Sequence, residues 1–459
     1  MQLGAMVLYR PLSPHHTLTV RFSIGGRCSI GMKNRSAISL LLAANAISGF
    51  AQGVSLISIP WYFVRIMDME DVYGALFTAI TLSTLAWSLY AGTLIDRFSR
   101  KAIFQWINVA GLIGIGTVTG LTMVSPDLLP LWVGIAFGIT IFIFNIHFPS
   151  IYAFMQEVVP REHYTKYNSI MEVLHQSVSA SAGILTALVL PDPLGGSSFR
   201  DWLPFHLEPW TMTQVFALDA ATYLAAFVLV SAIRYTPLIR RAEQKESIWL
   251  RFRNGLSFLK KNPLLFYFGM ASYSLFMVVL VETFLLLSIY VDQHLGSGPT
   301  IYGLSKIGYS FGALFAGILT ARLLGSWARV DSVLLLLFVI TLALLSVGVT
   351  ELPWWFIVFN YILGVCNAGV RIIRNTYIFE HVPNDYIGRT NSIFNSMNIL
   401  LRSGLIAIFS IGYFSTQGHV AEAYIWCAVF LTAFMVPTFF LRKRLRKLKI
   451  IEPQRVSTT

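Results

Sequence analysis

The amino-acid sequence predicts an all-α membrane protein in which twelve transmembrane helices form two six-helix bundles. Composition is the first observation: the 459 residues are 55% hydrophobic and only 12% charged, whereas soluble domains carry about 25% charged residues. Apolar runs near the ~20 residues that a helix needs to cross hydrocarbon recur along the chain. Internal duplication and one-sided placement of basic residues complete the case. Because backbone groups in lipid must be satisfied within their own segment, the runs predict helices.

The apolar runs divide into six before a polar connector and six after it. The first six predicted spans are Ile38–Phe63, Ala75–Ile95, Ile103–Val124, Leu131–Phe154, Val178–Leu190 and Val215–Ala232. The second six are Leu264–Tyr290, Leu304–Leu323, Val333–Val349, Trp354–Val370, Ile399–Phe414 and Tyr424–Leu441. The predicted domains are accordingly an N-terminal bundle at 32–234, a connector at 235–263 and a C-terminal bundle at 264–441, followed by a basic tail at 442–459.

Residues 1–31 and the connector need separate interpretations. Residues 1–31 mix arginines and prolines and lack the continuous apolar core of a signal peptide, so we interpret them as a disordered or mis-assigned extension. Within the connector, the segment Ile248–Leu259 places its apolar residues on one helical face, which predicts a helix at the membrane surface.

The lysines and arginines behind the net charge of +12 are distributed asymmetrically along the chain. With both termini in the cytoplasm, all basic residues except Arg65, Arg200 and Lys306 fall on the cytoplasmic side, which agrees with the positive-inside rule and excludes nucleic-acid binding. The basic tail is explained by topology, with contact to anionic membrane lipids as the alternative. We therefore expect a multi-pass protein of the cytoplasmic (inner or plasma) membrane.

Two short patterns recur in corresponding places of the two halves. Glu157-Val158-Val159-Pro160 returns as Glu380-His381-Val382-Pro383, and Ala91-Gly92-Thr93-Leu94-Ile95-Asp96-Arg97 is echoed by Ala316-Gly317-Ile318-Leu319-Thr320-Ala321-Arg322. Self-similarity of this kind predicts a parallel repeat of six spans. Duplicated bundles place their substrate path between the halves, near mid-membrane.

The loop after the second span reads Gly92-Thr93-Leu94-Ile95-Asp96-Arg97-Phe98-Ser99-Arg100-Lys101. It resembles the signature loop of the major facilitator superfamily, although Ser99 stands where the family usually has Gly. The resemblance covers residues 32–449 and implies the two-bundle transporter fold. It also implies a gating cluster that stabilises the outward-facing state, with Asp96 near the start of the eleventh span. The residues assigned to this cluster are Gly92, Asp96, Arg97, Arg100, Lys101, Glu157 and Glu380.

Two further segments are similar to the branch of that family that contains macrolide and siderophore exporters. They are Ile59-Pro60-Trp61-Tyr62-Phe63 and Gly255-Leu256-Ser257-Phe258-Leu259-Lys260-Lys261-Asn262-Pro263. The resemblance implies export of a drug-like compound or siderophore, coupled to a proton or to a sodium ion. Two markers of proton-coupled drug exporters are missing, because the fourth span lacks Arg and the fifth lacks the Gly-Pro motif.

Polar stripes on the spans that line the cavity in this family supply the first set of site candidates. The first span carries Asn45 and Gln52 on one helical face, the fourth carries Asn145, and the tenth carries Asn367. Such residues either contact substrate or pack helices together, and the sequence leaves both roles open.

Charged residues inside spans form the second set, because an intramembrane charge is costly and marks function. Glu282 is the foremost candidate for a cationic group or a coupling proton, with pairing to Lys306 as the alternative. Asp219 lies on the sixth span. Arg371 and Arg374 suit either an anionic substrate or a gate with Glu157, Glu172 or Glu380.

Other functional classes find less support. The sequence contains neither a nucleotide-binding glycine loop nor a His/Asp metal cluster, so we expect no ATP-driven pump, no enzyme and no cofactor. An importer of the same fold and a non-transporting receptor remain as alternatives. We expect the chain to act as a monomer.

Overall fold

The computed structural model describes residues 35–159, 163–192, 204, 207–234, 248–326, 329–415 and 419–448, and every regular element in these ranges is helical. The first half contains α1 (Arg35–Trp61, continued by a π-helix at Tyr62–Ile66), α2 (Glu70–Arg97), α3 (Arg100–Val124), α4 (Leu129–Val158), α5 (Tyr164–Val189) and α6 (Met212–Ser231). The connector helix α7 (Ile248–Lys261) follows. The second half contains α8 (Pro263–Val281), a π-helix at Glu282–Leu286, α9 (Leu287–Ile289), a π-helix at Tyr290–His294, α10 (Pro299–Ser326), α11 (Arg329–Val347), α12 (Pro353–His381), α13 (Asn384–Phe409), α14 (Gly412–Ser415) and α15 (Val420–Arg446).

The all-helical membrane fold predicted from the apolar runs is confirmed. Nine helical segments of the described ranges are long and apolar enough to cross a membrane. Helices α2, α5 and α10 have 28, 26 and 28 residues and pack among those nine, but they fall outside that set. The total of twelve spans therefore stays a prediction.

Helix α5 starts well before its predicted span. The apolar run predicted Val178–Leu190, whereas the helix begins at Tyr164. The prediction was too short because it followed apolar residues, and the first half of α5 is polar. Polar helical residues at membrane depth are tolerated where they face protein or a water-filled cavity, which places the early turns of α5 away from lipid.

The two halves meet through two equivalent helix pairs. Helix α5 packs on α10, and α2 packs on α13. In each pair the second helix of one half contacts the fifth helix of the other, so the two junctions are related by the repeat seen in the sequence. Within the halves, α1 packs on α4, α5 and α6, while α12 packs on α8, α10 and α11.

The connector helix α7 packs against protein. Its partners are α13 and α8, and Leu259 is buried in this contact. Phe258 stacks on Tyr386 of α13 with 4.6 Å between ring centroids. The apolar face that predicted a surface helix is thus largely turned toward the C-terminal half. Residues 235–247 of the predicted connector lie outside the described ranges.

Candidate functional site

One face of the molecule is closed by a charged bridge between the halves, and we call it the clamp face. Arg65, at the end of the first membrane helix, donates to Asp192 (3.0 Å) after α5 and to Asp292 in the π-helix at Tyr290–His294. These side chains are only 6%, 4% and 11% exposed. One guanidinium therefore joins a carboxylate of its own half to a carboxylate of the other half. Charge-assisted bonds in such a shielded place are strong, so the bridge holds this face shut.

Aromatic and backbone contacts extend the seal beneath the bridge. The hydroxyl of Tyr302 on α10 donates to the carbonyl of Ile57 on α1 (2.8 Å). The Trp61 and Tyr302 rings lie 5.0 Å apart. Gly183 and Gly303 bring α5 and α10 together so closely that a Cβ on Gly303 would lie 2.7 Å from the carbonyl oxygen of Gly183.

The opposite face, which holds α7, carries an ion pair between the halves that is less buried than the Arg65 bridge, and we call it the connector face. Arg371 of α12 contacts Glu172 of α5 (2.5 Å), and their side chains are 36% and 31% exposed. Glu172 lies eight residues inside α5 and Arg371 ten residues inside α12, which corresponds to depths of about 12–15 Å at 1.5 Å per residue. An ion pair that lies this far along both helices and keeps about a third of its side-chain surface accessible favours an opening between the halves on the connector face.

Polar and aromatic groups surround the ion pair. Gln176 donates to Glu172 (2.9 Å), and the ring of His175 lies edge-on to Phe148 with centroids 4.4 Å apart. Asn367 donates to the hydroxyl of Tyr309 on α10 (2.7 Å). Of the three acids predicted as gate partners of Arg371, Glu172 is the one that contacts it in the structure.

Arg374 differs from Arg371 because it is buried, at 6% exposure. Its Nη1 donates to the carbonyl of Ser272 (3.3 Å), and its guanidinium lies 3.7 Å from the Tyr273 ring centroid. Its Nε has no hydrogen-bond partner, and no carboxylate of the described ranges forms an ion pair with it. A buried cation without a counter-charge favours an anionic group nearby.

Glu282 occupies the first position of the π-helix that interrupts the α8 span. Its carboxylate is buried at 1% exposure, accepts from Thr283 (3.3 Å) and interacts electrostatically with Lys306 of α10. Lys306 itself donates to the carbonyl of Thr283 (2.9 Å), and Asn360 of α12 lies near the carboxylate. The predicted alternative of pairing with Lys306 is therefore compatible with the structure. Single-turn π-helices are frequent at functional sites.

The polar side chains of the first span contact other helices of the N-terminal half. Asn45 lies 2.9 Å from His147 of α4, and Gln52 donates to Tyr223 of α6 (3.1 Å). Asp219 is fully buried and accepts from Ser55 (3.0 Å).

These contacts favour helix packing over substrate contact for Asn45, Gln52 and Asp219 in this state. Asn145 is half-buried and donates to the carbonyl of Ile141 in its own helix.

The signature loop is partly described. Gly92, Asp96 and Arg97 belong to α2, but their side chains lie outside the described part. Lys101 donates to the carbonyls of Ser231 (2.9 Å) and Ile233 (2.7 Å) and so caps the end of α6.

The repeated glutamates make equivalent contacts in the two halves. Arg100 is the first residue of α3, and its Nε lies 3.7 Å from Oε1 of Glu157 at the end of α4. Arg329 opens α11 and pairs with Glu380 near the end of α12. Both pairs are internal to one half, so in this state neither bridges the halves.

Sequence reasoning missed the role of Arg65, the pairing of Arg329 and the position of Arg402. A signal existed for Arg65 and Lys306, because both were exceptions to the positive-inside pattern and both face acids in the structure. Arg402 is a largely buried cation within α13, in a predicted span, and the intramembrane-charge criterion would have found it.

The comparisons with known proteins agree with this architecture. The sequence profile of the Major Facilitator Superfamily matches residues 41–403. The chain is a member of this superfamily. It is 23% identical over 392 residues to an uncharacterized MFS-type transporter, YkuC, of Bacillus subtilis (strain 168), an alignment that covers 82% of this chain and 86% of YkuC.

Solved structures of superfamily members share the fold at low identity. The nucleoside transporter NupG aligns with a TM-score of 0.60 at 14% identity, covering 88% of this chain and 99% of NupG. A D-xylose-proton symporter gives 0.60 at 12%, covering 87% and 96%. A bacterial homolog of the human lysosomal transporter Spinster, in an inward-facing and occupied conformation, gives 0.62 at 14%, covering 91% and 98%.

Proposed function

We propose that this superfamily member is a secondary active transporter that exports a small organic molecule by alternating access, with efflux coupled to proton entry. One observation carries the proposal: the halves are bridged on the clamp face by Arg65, while the Glu172–Arg371 pair is reached by solvent from the connector face. Closure on one face and access on the other is the geometry that alternating access requires.

The orientation follows from charge. Basic residues of the sequence fall mainly on the side of the connector, so the positive-inside rule supports a cytoplasmic position for the connector face and for both termini. The cavity then opens toward the cytoplasm, which is the state in which an exporter loads its substrate. The predicted cluster around Asp96 would stabilise the opposite, outward-facing state.

Two groups of residues receive roles in this proposal. Arg371 and Arg374 supply positive charge beside the cavity and favour a substrate with an anionic group, as a siderophore or an acidic drug-like compound has. Glu282 is assigned to the coupling proton because it is a buried carboxylate at a π-helix, next to the α10 helix that joins the halves.

Import is the second candidate, because the same cytoplasm-open state releases the substrate of an importer. The D-xylose-proton symporter shares the fold. The direction is therefore decided by transport measurements on intact cells.

The test is accumulation of macrolides, dyes and siderophores in cells that express the protein, with and without a protonophore. We expect the wild type to lower the accumulation of at least one compound, and the protonophore to abolish this effect. Glu282→Gln at equal expression should lose the gradient-dependent part, whereas Glu422→Gln, which neutralises an exposed carboxylate on α15, should not. Gradient-driven uptake would replace export by import, and no gradient-dependent change for any compound would contradict transport of these classes.

A further inference from the structure

A long apolar groove runs along the lipid-facing side of the C-terminal half, between α11 and α15. Its larger part has a volume of about 840 Å³ and includes Phe338, Phe439 and Phe440 in its lining. A second depression of about 500 Å³ continues it toward Leu345 and shares Val436 with the first. From Asp331 to Leu345 the groove follows fourteen residues of α11, about 21 Å. This length exceeds one leaflet, which is about half of the ~30 Å hydrocarbon core.

The end of the groove at the connector face is positively charged. Arg442 and Arg446 line it together with one acid, Asp331. Arg446 pairs with Asp331, whereas the guanidinium of Arg442 lies 4.2 Å from the Phe439 ring centroid and forms no ion pair with a carboxylate of the described ranges. The charged groups at this end therefore sum to one positive charge that is not neutralised by the protein.

We propose that this groove binds one anionic phospholipid, with its phosphate at Arg442 and Arg446 and an acyl chain along the α11–α15 groove. Charge complementarity selects this occupant: the two arginines lie at the connector-face end of α15, where a membrane-spanning helix meets headgroup phosphates, and the apolar lining runs from them along the helix. Basic sites at the cytoplasmic ends of transmembrane helices bind anionic headgroups for this reason. A guanidinium also suits a phosphate by bidentate hydrogen bonding.

The site is separate from the transport cavity. Arg442 and Arg446 lie at the end of α15, which packs on α8 and α11 and takes no part in the two junctions between the halves. The proposal therefore does not depend on the transported substrate or on the direction of transport. The basic tail, for which the sequence left topology and contact with anionic lipids as alternatives, would gain a specific lipid site through its first residues.

The experiment is native mass spectrometry of the full-length protein, purified from vesicles of phosphatidylglycerol and phosphatidylcholine and exchanged into lipid-free detergent. We expect one phosphatidylglycerol to remain bound to the wild type. Arg442→Gln, which leaves the Asp331–Arg446 pair intact, should lower its retention about fivefold, the effect of one basic group at an anionic surface. Arg444→Gln is the matched control, since it removes one charge from the same tail at an exposed position outside the groove, and it should change retention less than twofold.

A second variant tests the apolar part without changing charge. Leu335→Trp narrows the groove on α11 and should also lower phosphatidylglycerol retention, with unchanged thermal stability in detergent. Equal retention of phosphatidylcholine, equal losses for Arg442→Gln and Arg444→Gln, or displacement of the retained lipid by glycerol phosphate alone would each overturn the proposal.

Discussion

At the scale of single residues, charges in unusual places carry most of the functional information. Arg65 and Lys306 violate the positive-inside pattern, and each lies beside an acid of the second half, Asp292 or Glu282. Placing a charge within a membrane segment costs about 2.5–3.5 kcal/mol on insertion scales. Opposite charges that face each other recover part of this cost, so both exceptions are explained by their partners.

The Glu282–Lys306 interaction makes a prediction about stability. Lys306→Met removes the cation that faces a buried carboxylate, so we expect a loss of about 2–3 kcal/mol in the free energy of unfolding. Glu282→Gln/Lys306→Met removes both charges and should restore most of this loss. Unfolding of the purified protein in detergent measures all the variants. If the double variant is instead as unstable as the sum of the single variants, the two groups are not coupled.

At the scale of helices, glycines decide how closely neighbouring elements approach. In the C-terminal half, Gly312 of α10 contacts the backbone of Tyr361 on α12, and Gly364 of α12 contacts the backbone of Tyr309 on α10. This reciprocal contact lies within one half. Gly303 instead meets Gly183 of the other half. Because membrane helices gain stability by close packing at small residues, the two contacts should have different consequences when they are disturbed.

The contact within one half should control stability. Gly312→Leu would force α10 away from α12, and overpacking of this kind costs about 1–3 kcal/mol. Gly317→Leu is the control on the same helix, because among the described residues no atom of another element lies within 4 Å of a Cβ placed there. We expect the melting temperature in detergent to fall only for Gly312→Leu. Equal melting temperatures for both variants would contradict the close packing described for α10 and α12.

The contact between the halves should control conformation. Gly303→Leu obstructs the approach of α5 to α10 on the clamp face, so it disfavours the closed clamp face by about 1–3 kcal/mol without loosening either half. Reactivity of an introduced Trp61→Cys toward a membrane-impermeant maleimide, added from the clamp face, should therefore rise at least about fivefold. The same reactivity with and without Gly303→Leu would exclude α5–α10 packing as a determinant of closure.

At the scale of the whole molecule, the structure is a pair of similar halves that meet through α5–α10 and α2–α13. Both junctions pair a second helix with a fifth helix. The Arg100–Glu157 and Arg329–Glu380 pairs each join the third and fourth helices of their own half, so the repeat extends to ion pairs inside the halves. A duplicated architecture of this kind offers two equivalent ways of closing the central cavity, one on each face.

Sequence reasoning reached the fold because membrane burial and backbone satisfaction leave few alternatives. Apolar runs predicted the helices, and the repeated Glu-x-x-Pro pattern indicated the duplication. Prediction of α5 was incomplete, because its early turns are polar and one of their residues, Glu172, meets Arg371 only when the two halves are assembled. The spacing of Asn45 and Gln52 correctly placed them on one helical face. The pattern alone does not say whether their hydrogen bonds go to α4 and α6 or to a substrate. Arg65 contacts residues 127 and 227 positions away in the sequence, and no local pattern reports such pairings.

We propose that the halves alternate between closure at Arg65 and closure at the connector face. Spin-label distances can follow both faces, with one pair at the exposed positions Val72 and Ile411 near the clamp face and another at Asn168 and Ser392 near the connector face. In Arg65→Gln, we expect a longer distance for the first pair and a shorter one for the second. Glu422→Gln, which neutralises an exposed carboxylate on α15 outside the junctions between the halves, should leave both distances unchanged. Distances that stay fixed in Arg65→Gln, or that change in the same direction on both faces, would contradict alternating closure.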